Sequence, residues 1–99
     1  MIDRKLTALH QLLSGYLHQD WPEEFDTDVS ALRAAVESEP KEMVLEAVED
    51  IDAVLGASLS EDDLRKLVVR TLGCYFEPAA EGITYDQWLR RVRNIFTEA

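Results

Sequence analysis

The chain has 99 residues, enough for one domain with a modest core. Its 46% apolar content excludes a disordered chain, and 20 acidic against 10 basic residues leave a net charge of −10. That imbalance argues against direct recognition of nucleic acid or an anionic membrane, both of which need Lys and Arg, and favours a basic protein partner.

Helical periodicity recurs in five places and predicts an all-α, single-domain bundle over residues 1–99. The first helix runs from about Asp3 to His18 and buries Leu6, Leu9, Leu12, Leu13, Tyr16 and Leu17. Trp21-Pro22 breaks it, because a residue before proline is pushed out of the helical region. A second helix starts near Asp26 or Asp28, either of which can cap, and buries Val29, Leu32, Ala35 and Val36. Pro40 suits the first turn of a third, which reaches Leu55 with Val44, Val48, Ile51 and Leu55 inside, and Gly56 stops it. Ser60-Glu61-Asp62-Asp63 is a capping-box variant opening a fourth helix to Leu72, stopped by Gly73. Thr84-Tyr85-Asp86-Gln87 is a full capping box opening the last, with Trp88, Leu89, Val92, Ile95 and Phe96 inside. Residues 73–83 read as an ordered loop, since a strand at Cys74-Tyr75-Phe76 has no evident partner.

Cys74 is the lone cysteine, so no internal disulfide forms, which fits a reducing cytosol. The N-terminal apolar residues are spaced rather than continuous, unlike a signal peptide, and no run is long enough to span a membrane. The expectation is a cytoplasmic protein.

The charge is concentrated. Residues 20–63 hold 15 acids and 2 bases, while the flanking segments are slightly basic. On the third helix Glu42, Glu46, Glu49 and Asp50 fall within about 100° of one another, opposite the apolar stripe. Glu42/Glu46 and Glu46/Asp50 are like-charge pairs at i, i+4, each unfavourable by roughly 0.2–0.5 kcal/mol in an isolated helix. A solvated face needs charge, but not four acids together without interspersed bases. The stripe therefore reads as a docking surface, with Asp20, Glu23 and Glu24 extending it.

Reactive sites are weakly signalled. Asp26-x-Asp28-x-Ser30 with Glu37 mimics part of a calcium loop, but Ala31 stands where the loop needs glycine, and the segment reads as helix interior. His10, His18 and Cys74 lack metal-ligand spacing. Cys74 beside Tyr75 and Phe76 reads as a small buried hydrophobe rather than a nucleophile. Neither catalysis nor a cofactor nor a metal is expected. Trp88 reads as core; Trp21, Tyr75 and Phe76 lie in connections and suit either a lid over the core or an interface.

Three blocks then stand in order: Tyr16-Leu17-His18-Gln19-Asp20-Trp21 with Glu24-Phe25; Ser60-Glu61 and Leu64, ending in Gly73-Cys74-Tyr75-Phe76-x-Pro78; and Gly82-x-Thr84-x-x-x-Trp88-Leu89. Together, from about Leu6 to Phe96, they resemble the small immunity proteins of contact-dependent growth inhibition systems. The resemblance implies a cytoplasmic bacterial inhibitor; nothing in the sequence demands a dimer, so a monomer is expected when free. Its partner would be the cognate toxin C-terminal domain, bound one-to-one and often a nuclease with a basic face. Phe25 and Phe76 stand where the family commonly carries tyrosine. Immunity proteins vary most where they touch toxin, so the shared motifs are expected to set the fold, and Glu42, Glu46, Glu49, Asp50, Asp20, Glu23 and Glu24 to bind. The rival expectation is an acidic helical adaptor for some other basic protein.

Overall fold

The computed structural model describes residues 4–98 and is all-helical, with no strand among them. The helices are α1 (Thr7–Tyr16), α2 (Trp21–Glu24), α3 (Asp28–Ser38), α4 (Lys41–Gly56), α5 (Glu61–Lys66) and α6 (Tyr85–Glu98). A π turn, Leu67–Thr71, continues α5, and a 3-10 turn, Pro78–Glu81, precedes α6. Asp3, where the sequence places the start of the first helix, lies outside the described residues.

The apolar stripes meet as their spacing predicts. α4 packs between α1 and α6, while α6 also contacts α3 and α5. Leu9, Leu12 and Leu13 of α1, Ala47, Ile51 and Val54 of α4, and Trp88, Leu89 and Val92 of α6 are essentially removed from water. Burial on this scale dominates the stability of a small domain.

Helix starts differ from expectation: α1 begins only at Thr7, residues 4–6 being non-helical, and Pro40 is the N-cap of α4 rather than part of its first turn. Trp21-Pro22 does not break α1, which has already ended at Tyr16 with Leu17 as its C-cap; it opens α2, because proline in a first turn has no N–H to leave unpaired. α3 is capped by Thr27 rather than by an aspartate. The Thr27 hydroxyl accepts from the Ser30 N–H at 3.1 Å, and the Thr27 N–H donates to Ser30 Oγ at 3.2 Å. Asp28, released from capping, turns inward and is only 2% exposed.

At α6 the capping box forms as written. The Thr84 hydroxyl accepts from the Gln87 N–H at 3.0 Å, and the Thr84 N–H donates to Gln87 Oε1 at 2.9 Å. Glu61 supplies what the box leaves over, its carboxylate accepting from the N–H groups of Tyr85 (2.8 Å) and Asp86 (3.0 Å). Three first-turn donors are thereby satisfied, and α5 is tied to α6.

Residues 73–83 are ordered. The chain leaves the π turn through Gly73 at φ +63°, where an added Cβ would meet Ser14 Cβ of α1 at 3.2 Å. Positive φ and close approach together require glycine. Residues 74–77 form no regular element; the Cys74 N–H donates to the Val68 carbonyl at 3.0 Å and the Tyr75 N–H to the Leu17 carbonyl at 2.8 Å. No ladder forms, so the segment is a strap rather than a strand.

Candidate functional site

The outward side of α4 carries Glu42, Glu46 and Glu49, all exposed, in one strip. No Lys or Arg pairs with these three among the described residues, whereas Asp52, nearest α6, receives both Nε and Nη2 of Arg93.

Asp50 is a correction to the predicted face. It is 2% exposed and engaged inside the protein. Its Oδ2 accepts from the Leu9 N–H at 3.1 Å, and its Oδ1 accepts from Arg4 Nε at 2.7 Å. The reason lies in α1, whose N-cap is Leu6, a residue with no side-chain oxygen to offer the first-turn donors and held at φ 56°. A carboxylate from α4 supplies the missing acceptor and suits the positive end of the helix dipole. Asp50 is a remote cap, not a contact surface.

Asp20, Glu23 and Glu24 lie at the exposed start and body of α2. Glu24 is partly committed: His18 Nε2 lies 2.6 Å from its Oε2, while His18 Nδ1 accepts from the Asp20 N–H at 3.1 Å. Both ring nitrogens of His18 are therefore used locally. α2 is fixed by Trp21, whose ring lies 5.9 Å from Phe76 and whose Nε1 donates to the Tyr75 carbonyl at 3.4 Å. The two acidic groups are thus held by different parts of the fold: the α4 strip by α1 and α6, the α2 acids by the 73–77 strap.

Phe76 also stacks on Trp88 at 5.1 Å, so one aromatic column runs Trp21–Phe76–Trp88 into the core. At its base Trp88 Nε1 donates to Asp28 Oδ2 at 2.8 Å, and Arg91 Nη1 reaches the same oxygen at 3.1 Å and Glu81 at 3.0 Å. Burial disfavours the Arg91 charge, but its bonds to Glu81 and Asp28 outweigh that and hold the guanidinium above its ordinary range. Asp28 is therefore a core acceptor in the first turn of α3. On the opposite edge Tyr16 Oη donates to Glu39 at 2.8 Å; burial and that carboxylate both push the phenol up.

Cys74 is fully buried, and burial pushes its thiol up to about 12, against a smaller opposing pull from the Phe76 backbone. A thiol so shifted has little thiolate at neutral pH. At pH 8 its alkylation by iodoacetamide should be about three orders of magnitude slower in the native protein than in urea. Because the folded state holds the proton more tightly, this group stabilises the fold below pH about 9 and loses that contribution as pH rises toward 12. Equal alkylation rates in the two states would contradict the burial.

Among the described residues no group of three or more His, Cys, Asp or Glu side chains is arranged to hold a metal, and no helix is long and apolar enough to cross a membrane. No buried side-chain nitrogen or oxygen there lacks a partner.

The fold and surface define an all-helical acidic protein whose buried polar groups serve its own packing and whose α4 carries a strip of exposed glutamates with no ion-pair partner among the described residues. A family profile described as CdiI immunity protein matches residues 5–96, and the chain belongs to that family. A chain in the crystal structure of a CdiA-CT/CdiI complex from Y. kristensenii 33638 is similar to it throughout. It superposes with a TM-score of 0.87 at 27% identity, covering 94% of this chain and 99% of that one. No curated protein matches the sequence.

Proposed function

We propose that this protein is a stoichiometric inhibitor, acting in the cytoplasm, that binds the toxic C-terminal domain of its own system's effector one-to-one. Membership of the immunity family and the likeness to a chain of a CdiA-CT/CdiI complex support the class of partner. The strip of Glu42, Glu46 and Glu49, exposed and without basic partners among the described residues, is the observation that carries the mode of binding. It lies over the basic face of the toxin, which is a nuclease, and covers the cleft that holds phosphate. Asp20, Glu23 and Glu24 add charge from α2. Unscreened charge of one sign speeds encounter with a partner of the other, so steering makes association fast and salt-sensitive.

The test is rescue. The toxic domain encoded beside this gene is induced in susceptible cells with and without this protein, and the purified pair is mixed. Rescue, a one-to-one complex and an association rate falling steeply with added salt are expected. Both proteins soluble and folded, with neither rescue nor complex, would sink the inhibitor reading; rescue with a salt-indifferent rate would sink the acidic strip.

A further inference from the structure

The acidic strip of α4 holds one residue out of character. Leu45 is 48% exposed, one of two large hydrophobic side chains so exposed among the described residues. It stands between Glu42 and Glu49, on the side of the strip that faces α6. A lone exposed leucine needs no explanation in itself. This one forms the edge of a groove of about 330 Å³ between the end of α3, the start of α4 and the end of α6. Val36, Val44 and Phe96 line it, and Glu37, Glu39 and Lys41 stand around it. Glu39 is occupied by the Tyr16 hydroxyl, and Lys41 is the one base at the groove.

The groove and the strip therefore make one surface: an apolar socket with room for one or two side chains, beside three glutamates at like-charge spacing. A second copy of this chain fits poorly, because each copy carries a net charge of −10. A neutral segment would leave Glu42, Glu46 and Glu49 unmatched, and an acidic one would be repelled. The charge selects a basic occupant, and the groove selects an apolar one.

We propose that the groove receives an apolar side chain of the toxin, carried on a segment whose neighbouring Lys and Arg lie over Glu42, Glu46 and Glu49. This rests on the toxin-binding reading above and adds the anchor to it. The two parts of the surface have different kinetic roles. Exposed charges govern how fast the partners meet, while a desolvated apolar anchor governs how long they stay together.

The test compares wild type, Leu45→Ala and Thr97→Trp against an active-site-inactivated toxic domain by surface-immobilised binding kinetics. Both positions are exposed, and Thr97 lines the groove, so the indole would fill it. Unchanged thermal midpoints check the fold. Each variant is expected to dissociate about tenfold faster, as loss of an anchor worth over 1 kcal/mol requires, with association rate and salt slope close to wild type. Wild-type dissociation in either variant overturns the socket and leaves the toxin-binding reading intact. Failure of the wild-type protein itself to bind overturns both.

Discussion

Replacing Trp88 with alanine should remove about 3–5 kcal/mol of stability, the usual range for truncating a buried large aromatic. A domain of this size has only about 5–15 kcal/mol to lose. Trp88 is fully buried, stacks on Phe76 and gives its Nε1 hydrogen to Asp28. Truncation leaves a cavity at the foot of the aromatic column and strips a partner from a carboxylate that is 2% exposed. Trp88→Phe separates the two effects: it keeps most of the bulk, loses the hydrogen bond and should cost about 1–3 kcal/mol, the penalty for a buried group left unpaired. Urea unfolding followed by circular dichroism gives both numbers. A Trp88→Ala loss below about 1 kcal/mol would mean that the column does not hold the core together.

Much of this architecture was legible because it is periodic or local. The stripes of the five long helical stretches follow from spacing alone, and the Thr84–Gln87 box forms because all its atoms lie within one turn. Burial of Trp88 and Cys74 follows from apolar neighbours in sequence. The aspartates were illegible for the opposite reason. Asp50 meets Leu9 across 41 residues, and Asp28 meets Trp88 across 60. Periodicity places a residue on a face to within a turn's width, and Asp50 lies at the border of its face. What pulls it inward is the lack of a side-chain cap at Leu6, a property of another helix. A signal did exist for α3: Thr27-x-x-Ser30 is a reciprocal cap in which serine takes the place of the usual Glu or Gln.

The residues that carry the family resemblance turn out to be the joints of the fold. Tyr16 bonds Glu39, His18 meets Glu24, Trp21, Phe76 and Trp88 form the column, Gly73 clears Ser14, and Ser60 and Thr84 cap helices. A shared scaffold of this kind leaves the strip of α4 free to differ between relatives. The exposed glutamates make no described bond that the fold needs, so their identity is open to being set by a partner.

Reversing that strip with Glu42→Lys, Glu46→Lys and Glu49→Lys together should slow association with the toxic domain by one to two orders of magnitude at low ionic strength, within the range steering supplies. The thermal midpoint should hold or rise slightly, since removing like-charge pairs relieves α4. The deficit should shrink as salt shortens the screening length from about 10 Å at 0.1 M to about 3 Å at 1 M. Asp50→Ala makes the opposite prediction from the same helix. Removing the carboxylate orphans the buried Leu9 N–H and uncaps α1, which should cost about 1–3 kcal/mol of stability, with the association rate of the folded fraction unchanged. Had Asp50 belonged to the binding face, it would behave like its glutamate neighbours. Stopped-flow association rates at two salt concentrations, set beside urea midpoints for the same variants, separate the two. If Asp50→Ala slowed encounter without loss of stability, the carboxylate would face the partner after all; if the triple reversal left encounter untouched, steering would have to come from the acids of α2.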